Sequence, residues 1–148
     1  MAGAEALHRK FFETYTGFYR AREAGRKAWN DHVYRDGPAP IARTAIGRRR
    51  TFADWYGPFL NHQIQGTATG DGIKFALARM HEKPFPNAYP VLTVHDEIVV
   101  EAPKDKADAV ADWMEHHMVE GMLEAVEMTT ADVPSLPRVE IETGKEWS

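Results

Sequence analysis

The clearest pattern of apolar and polar positions lies at residues 89–103, where two apolar runs enclose a short polar segment. Residues 91–94 and 98–100 are rich in β-branched side chains, which favour strands, and His95, Asp96 and Glu97 separate them. We therefore predict two short buried strands joined by a tight connection. Because two carboxylates beside core-forming strands are costly unless a cation or hydrogen bonds compensate, this hairpin is the candidate active-site platform.

Apolar residues at helical spacing predict three helical stretches. Residues 4–30 carry an aromatic stripe, although Gly17 and Gly25 weaken the pattern and could bend or divide the helix. Residues 64–80 follow this spacing in part, and residues 104–128 form the clearest helix, with methionines that we interpret as core filling. The aromatic stripe predicts burial in the core of this domain or, as the alternative, against a partner chain. Its members are Leu7, Phe11, Phe12, Tyr15, Phe18 and Tyr19.

Two further segments predict strands. Residues 41–46 alternate weakly and lead into the sequence GRRR at residues 47–50, which predicts a hairpin whose tip carries three consecutive guanidinium groups. Such a tip could bind the phosphate oxygens of a nucleic acid, although short basic runs are also common on protein surfaces. Residues 139–143 alternate between apolar and polar positions, which predicts a strand with one solvated face. Trp147 could pin the terminus against the body of the domain.

Composition is that of an ordinary soluble globular domain. The chain has 148 residues, of which 43% are hydrophobic and 27% charged, and no apolar stretch approaches the length of a membrane span. The absence of cysteine excludes a disulfide framework and a thiolate metal site. We expect one domain in an intracellular, cytoplasmic protein that has no membrane partner.

Charge is distributed unevenly along the chain. Residues 1–60 hold 11 Lys and Arg against 6 Asp and Glu, a net charge of +5, whereas residues 61–148 hold 7 against 16, a net charge of -9. A basic first half could meet a polyanion while the acidic half holds a metal ion or faces solvent. The alternative is that the charge is merely uneven.

The carboxylates of the hairpin suit a magnesium site. One carboxylate, several waters and phosphate oxygens form a typical Mg²⁺ environment, and two-metal phosphoryl transfer needs a second acidic ligand from elsewhere in the fold. Asp54 and Asp71 are the candidates within the chain. Two other interpretations of the residues stay open: a polar turn with solvated acids, and a small metal hydrolase that uses His95 and Asp96.

Amide side chains precede the hairpin at residues 61–68. Asn61 and Gln65 carry both donors and acceptors, which suit the acceptors of a DNA minor groove, a surface that is degenerate in sequence. The alternative is a glycine-rich, loosely helical segment that packs on the sheet.

Four segments, in the same order along the chain, resemble motifs of family A DNA polymerases, the bacterial polymerase I type. Residues 94–103, VHDEIVVEAP, resemble motif C, and residues 61–68 are similar to the N-x-P-x-Q-G-T-A segment that precedes it. Residues 44–50 resemble the T-x-x-G-R-R-R turn, and residues 144–147 resemble the G-x-x-W ending. Together these motifs cover nearly the whole chain from residue 11 onward.

The resemblance implies a fold of the α+β class, with an antiparallel palm-type sheet and a motif C hairpin packed against long helices. The whole chain, residues 1–148, would be a single C-terminal palm segment. Within it, residues 1–34 would be an N-terminal helical segment, residues 35–60 a basic hairpin and connection, and residues 61–148 the palm core with motif C.

The resemblance also implies roles in catalysis for the hairpin residues. Asp96 would be the motif C metal ligand, which holds Mg²⁺ against a deoxynucleoside triphosphate and the primer 3′ oxygen. Glu97 would be the neighbouring catalytic carboxylate with a lesser role. His95 would contact the primer strand near its terminus.

Contacts with primer–template DNA are implied for four more residues. Asn61 and Gln65 would lie on the minor-groove side of the duplex. Arg48 and Arg49 would touch the DNA backbone.

The sequence departs from the family pattern at several positions. Gln63 replaces the proline of the Asn segment, and Gly57 replaces an arginine that usually contacts DNA. The spacing from the GRRR turn to Asn61 is shorter than usual, and one extra residue stands between Ala68 and Asp71. These changes alter the predicted grip on DNA and leave the metal ligand in place.

Larger elements of the family are missing from this sequence. It contains no motif A strand of the D-Y-S-x-I-E-L-R type and no motif B helix. The chain is then either an excised fragment or the small subunit of a split polymerase, in a bacterial cell or a virus-infected host. Because it begins with its own Met1, we expect the small subunit, which would be inactive without a larger chain carrying motifs A and B. The alternative is a non-catalytic DNA-binding or assembly module that retains the palm fold.

Overall fold

The predicted α+β class is confirmed in the parts of the chain that the computed structural model describes, residues 2–35, 37–51, 56–128 and 131–146. Five α-helices and two antiparallel β-hairpins make up the regular structure there. In chain order they are α1 (Ala2–Thr14), α2 (Thr16–Arg35), β1 (Ile41–Arg43), β2 (Arg49–Thr51), α3 (Tyr56–Gln65), α4 (Gly72–Glu82), β3 (Tyr89–Val94), β4 (Glu97–Glu101) and α5 (Ala107–Ala125). A π-helical segment, Gly66–Asp71, joins α3 to α4, and a short 3₁₀ helix, Lys104–Lys106, precedes α5.

The backbone divides into two compact units. One consists of residues 1–43 and 49–63, and the other consists of residues 44–48 and 64–148. The second unit contains the predicted active-site hairpin.

The first helical stretch is divided, as its pattern allowed, but the division falls at Tyr15 and not at a glycine. The hydroxyl of Thr14 donates to the carbonyl of Lys10 at 2.8 Å. Such back-bonding by a threonine offers the backbone an alternative to the helical ladder and often bends helices. Gly25 instead lies buried within α2.

The aromatic stripe of α1 and α2 is exposed within this chain, so the prediction that it lies in the core of this domain is wrong. Leu7 is 71% exposed, and Phe11 and Tyr15 are also largely open to solvent. The rings pack against one another instead, with Phe11 and Tyr15 centroids 4.8 Å apart and Phe12 and Phe18 stacked at 6.1 Å. The helices therefore gather their apolar rings into one cluster without covering it.

The core of the second unit lies where α4 crosses α5 and receives one strand. Ala76 and Met80 of α4 and Ile98 of β4 are buried together. Half-buried residues surround them, namely Ile73, Leu77, Val100, Trp113, Met114 and Met118. Met114 and Met118 of α5 are thus core filling, as predicted.

Gly121 of α5 allows α4 and α5 to lie close together where they cross. A Cβ at this position would lie 2.8 Å from the Cα of Ala76 and 2.9 Å from the carbonyl oxygen of Gly72. Arg79 adds polar links on the same pair of helices, with contacts to Glu120 and Glu124 at 3.3 and 2.6 Å. The two helices therefore approach to a distance that only a glycine permits.

The predicted strand at residues 139–143 is wrong, because this stretch is irregular. The apolar and polar side chains still alternate in exposure, since Val139 and Ile141 are half-buried and Glu140 and Glu142 are exposed. The described residues provide no neighbouring strand for it to pair with, and a lone strand has no ladder to satisfy its backbone groups. Trp147 lies outside the described residues.

Among the described residues, every helix is too short or too polar to cross a lipid bilayer.

Candidate active site and nucleic-acid interface

The predicted hairpin at residues 89–103 is confirmed, with β3 and β4 antiparallel. Val94 pairs with Glu97, so His95 and Asp96 form a two-residue turn. His95 adopts a φ of 55°, in the left-handed region that a two-residue hairpin turn of this kind usually fills with glycine. A strained backbone conformation of this kind persists only where the surrounding structure maintains it, and it occurs often at functional sites.

The two strands of this hairpin are buried to different extents. Ile98 of β4 lies in the helical core and Val100 packs against it. On β3, Tyr89 and Val91 are 62% and 56% exposed, so the prediction of two buried strands is correct only for β4. The pairing register also shifts between Pro90 and Leu92, which leaves Val91 as a bulge.

Asp96 and Glu97 are both exposed at the end of the hairpin. Asp96 lies in the turn itself, whereas Glu97 is the first residue of β4. Within the described residues, no group of three or more His, Asp or Glu side chains is arranged to hold a metal ion. An exposed carboxylate fits Mg²⁺ as one hard oxygen ligand, since this ion keeps several waters and is often shared with substrate phosphates.

The two in-chain candidates for a second acidic ligand do not join Asp96 in an observed site. Asp54 lies outside the described residues. Asp71 is the last residue of the π-helical segment, is only 1% exposed and accepts a hydrogen bond from Arg48. The structure therefore gives the Asp71 carboxylate an internal cation as its partner.

The basic hairpin is confirmed, but its three arginines are placed differently from the prediction. Ile41 pairs with Thr51 and Arg43 with Arg49, so Arg49 belongs to β2 and only Arg48 lies in the connecting turn. Arg48 Nε donates to Asp71 Oδ1 at 2.6 Å, and its Nη2 donates to the carbonyl of Gly66 at 2.8 Å. Arg49 is exposed on its strand. The two arginines assigned to DNA thus differ. Arg48 pairs with a buried carboxylate while 37% of its side chain stays exposed, whereas Arg49 is an exposed side chain on its strand.

The π-helical segment coincides with the departure of one extra residue from the family pattern. The N–H of Gly72 donates to the carbonyl of Thr67, a bond that spans five residues where an α-helix spans four. A helix that widens one turn in this way takes up an additional residue, and single π turns are frequent at functional sites. The sequence pattern predicted a helix here but did not indicate this widened turn.

Asn61 and Gln65 are both exposed near the end of α3. They are four residues apart, which places them on the same side of that helix, whereas His62 between them is buried. The segment is helical, as the alternative interpretation expected, but the main contacts of its π-helical part, Gly66–Asp71, are with α4 and α5 and not with a sheet. Contact of these amides with a minor groove stays a prediction.

Two polar features were missed by the sequence patterns. The first is the Arg48–Asp71 pair, for which the only signal was an aspartate within a glycine-rich helical stretch. The second is His117 in α5, which is buried, with its ring edge-on to Trp113 at 5.5 Å. Burial lowers the pKa of His117 below its ordinary value of 6.5, and the positive charges of His116, Arg79 and Lys83 lower it further, while Glu120 opposes them.

Comparison with known proteins gives one consistent family. The family model described as DNA polymerase family A matches residues 2–148. DNA polymerase I of Aquifex aeolicus (strain VF5) is 33% identical over 122 residues, which cover 78% of this chain and 19% of that protein. The DNA polymerase of Mycobacterium phage L5 is also 33% identical, over 80% of this chain and 19% of its own length.

A thermostable DNA polymerase I from Thermus filiformis matches more of this chain at lower identity. It is 27% identical over 157 aligned residues, which cover 97% of this chain and 17% of that protein. The chain therefore spans about a fifth of the length of the curated relatives that it matches.

Proposed function

Because the chain belongs to DNA polymerase family A, we propose that it contributes the motif C aspartate, Asp96, to a Mg²⁺-dependent site for template-directed nucleotidyl transfer. The supporting observation is the placement of Asp96, whose exposed carboxylate lies in a two-residue turn. The strand that leaves this turn is fixed in the helical core through Ile98. A metal ligand needs this combination of access and rigid support.

Asp96 would supply one carboxylate oxygen to Mg²⁺, and Glu97 would place a second negative charge nearby. A Mg²⁺ ion held there would supply positive charge to the nucleotidyl group of a deoxynucleoside triphosphate, while the primer 3′ oxygen forms the new bond to the α-phosphorus and pyrophosphate leaves. His95, directly before Asp96 in the same turn, would contact the primer strand beside the reacting oxygen. The strained φ of His95 would hold that side chain and the Asp96 carboxylate in a fixed relation.

Primer–template DNA would be bound by exposed polar side chains outside the hairpin. Asn61 and Gln65 present amide groups on one side of α3, which suits hydrogen bonding to minor-groove acceptors of any sequence. Arg49 on β2 offers an exposed guanidinium to a backbone phosphate. This division of contacts gives binding that does not depend on the base sequence.

The rest of the polymerase site would come from a separate, larger chain that carries motifs A and B. Two-metal transfer needs a second acidic ligand, and within the described residues no group of three or more His, Asp or Glu side chains is arranged to hold a metal ion. The exposed face of β3 and the exposed aromatic cluster of α1 and α2 are apolar surfaces that such a chain would cover. Contiguous apolar patches on the surface of a soluble protein commonly mark sites of interaction with a partner.

Primer extension by the full chain, alone and with the larger chain, tests this proposal. The chain alone should extend no primer, and the mixture should extend it in the presence of Mg²⁺. Asp96→Ala should abolish the restored extension, whereas Asp105→Ala, which removes another exposed carboxylate, should not. Robust extension by the isolated chain would contradict the requirement for a partner.

The same experiment separates catalysis from a non-catalytic DNA-binding or assembly module. If the chain only binds or assembles, Asp96→Ala will leave the activity of the mixture unchanged, while Arg49→Ala will weaken DNA binding and its salt dependence. Mg²⁺-dependent cleavage of DNA by the chain alone would instead indicate a metal hydrolase.

A further inference from the structure

Arg48 spans the π-helical segment from its first residue to its last. Its Nη2 donates to the carbonyl of Gly66 at 2.8 Å, and its Nε donates to the carboxylate of Asp71 at 2.6 Å. A Cβ on Gly70 would lie 2.6 Å from Nη2, so the guanidinium passes over the backbone where the chain has no side chain. One planar side chain thus connects both ends of the widened turn.

The turn that carries Arg48 is itself closed and tied to the same segment. The N–H of Thr44 donates to the carbonyl of Arg48 at 3.0 Å, and the N–H of Arg48 donates to the hydroxyl oxygen of Thr44 at 3.1 Å. The N–H of Ala45 donates to Oγ1 of Thr67 at 3.0 Å. The backbone of Arg48 is therefore held in place by the turn. Three hydrogen bonds join this turn to the π-helical segment, two from the Arg48 side chain and one from the backbone N–H of Ala45.

The carboxylate of Asp71 depends on this arrangement. Asp71 is almost fully buried, and within the described residues its Oδ2 has no hydrogen-bond partner, so Arg48 provides its ion pair. A buried carboxylate without a cation is strongly unfavourable. The planar guanidinium holds its donors in a fixed fork that meets the carboxylate and the carbonyl together, whereas a lysine ammonium is a compact charge on a flexible stem.

Gln65 lies directly before the widened turn and is linked to it. The hydroxyl of Thr69 donates to the carbonyl of Gln65 at 2.8 Å, and Gly66, the next residue, receives the bond from Arg48. A π turn is an unusual helical state that persists only where its surroundings impose it. Gln65 has α-helical backbone angles and lies where α3 meets the π turn, so a change in this turn would alter the orientation of Gln65 relative to α4.

We propose that Arg48 is a positioning residue, which holds the π-helical segment and thereby orients Gln65 towards DNA, and that it does not bind a DNA phosphate itself. The DNA-facing role of Gln65 rests on the function proposed above. The fixing of the segment by Arg48 does not.

Amide hydrogen exchange of the full chain tests the fixing of the segment. In Arg48→Ala and Asp71→Asn, protection of the amides of residues 66–72 should fall by about ten-fold or more, because each variant breaks the ion pair. Arg48→Lys should lose part of the protection, and Arg49→Ala, which removes the neighbouring exposed arginine, should lose none. If Arg48→Ala does not fold, Arg48→Lys and Asp71→Asn still decide the result. Unchanged protection in the folded variants would overturn the proposal.

Binding to a primer–template duplex over a range of salt concentrations tests the orientation of Gln65. A lost phosphate contact lowers the slope of the logarithm of affinity against the logarithm of salt by about one. Arg48→Ala and Asp71→Asn should weaken binding by a similar factor with the wild-type slope, whereas Arg49→Ala should lower the slope. A lower slope in Arg48→Ala with normal binding by Asp71→Asn would show that Arg48 binds phosphate and overturn the proposal. If the wild-type chain does not bind the duplex, the DNA-binding function fails and the role of Gln65 with it, while exchange still decides what Arg48 holds.

Discussion

The two β-hairpins of this chain carry charged residues in their turns, but they use that charge in opposite ways. In the turn between β1 and β2, Arg48 folds onto a helix and pairs with the buried Asp71. In the turn between β3 and β4, Asp96 remains exposed, and the strand that follows is fixed in the core. The Arg48 charge is therefore taken up by a buried partner within the chain, whereas the Asp96 carboxylate stays open to solvent.

The difference also separates two kinds of expected defect. Loss of a residue whose charge is paired internally should cost stability, because the buried partner is left without compensation. Loss of an exposed carboxylate should leave stability almost unchanged and act on function alone.

The largest effect on folding is expected when Arg48 is replaced. Arg48→Ala should lower the free energy of unfolding by about 3 kcal/mol, because the Asp71 carboxylate stays buried without its cation. Asp96→Ala should change it by less than about 0.5 kcal/mol. Urea unfolding of the full chain measures both values. Equal losses in the two variants would remove the contrast between the hairpins.

A smaller loss is expected from crowding the helices on which the β3–β4 hairpin rests. Gly121→Ala should cost about 2 kcal/mol, because the new methyl group meets the backbone of Ala76 and of Gly72. Gly17→Ala is the matched control, since a Cβ there meets nothing within 4 Å and alanine is the better helix former. Thermal unfolding of both variants should show opposite shifts, and a stable Gly121→Ala would mean that the crossing can open without cost.

The smallest effect is a pH dependence from His117 in the same helix pair. Its pKa is lowered on folding, so the unfolded chain takes up the proton first as the pH falls. The contribution of His117 to stability is therefore intact above about pH 6.5 and is lost progressively below it, at most about 1.4 kcal/mol for each unit by which the folded pKa is lowered.

Replacement of single histidines isolates this contribution. His117→Gln should flatten the decline in stability between pH 7 and pH 5, and the exposed His81→Gln should keep it. An unchanged decline in His117→Gln would assign the pH dependence to other groups.

Local sequence pattern was sufficient for the elements whose side chains depend on near neighbours. The β3–β4 hairpin and α5 could be predicted because alternation and helical spacing are properties of the segment itself. The prediction of a strand at residues 139–143 failed because a strand also needs a partner, which alternation does not supply. The exposure of β3 and of the aromatic stripe was missed because a run of apolar residues does not indicate what covers it.

The candidate site shows the same limit. Asp96 could be located because its neighbours on both sides are strand-forming residues that place it in a turn. The pairing of Arg48 with Asp71 joins residues 23 positions apart and depends on a widened helical turn, so no local pattern contains it. Contacts between distant residues decide which of several charged side chains are available to a ligand.

The most direct test of the central claim is the metal preference of an Asp96→Cys variant in the mixture with the larger chain. The natural chain has no cysteine, so this change introduces one thiolate, a ligand that disfavours Mg²⁺ and binds softer ions such as Zn²⁺ or Cd²⁺. We predict that extension supported by Mg²⁺ is lost and that extension returns when a softer ion is added, whereas Asp105→Cys keeps the wild-type preference for Mg²⁺. Wild-type extension by Asp96→Cys with Mg²⁺ alone would contradict the assignment of Asp96 as the metal ligand.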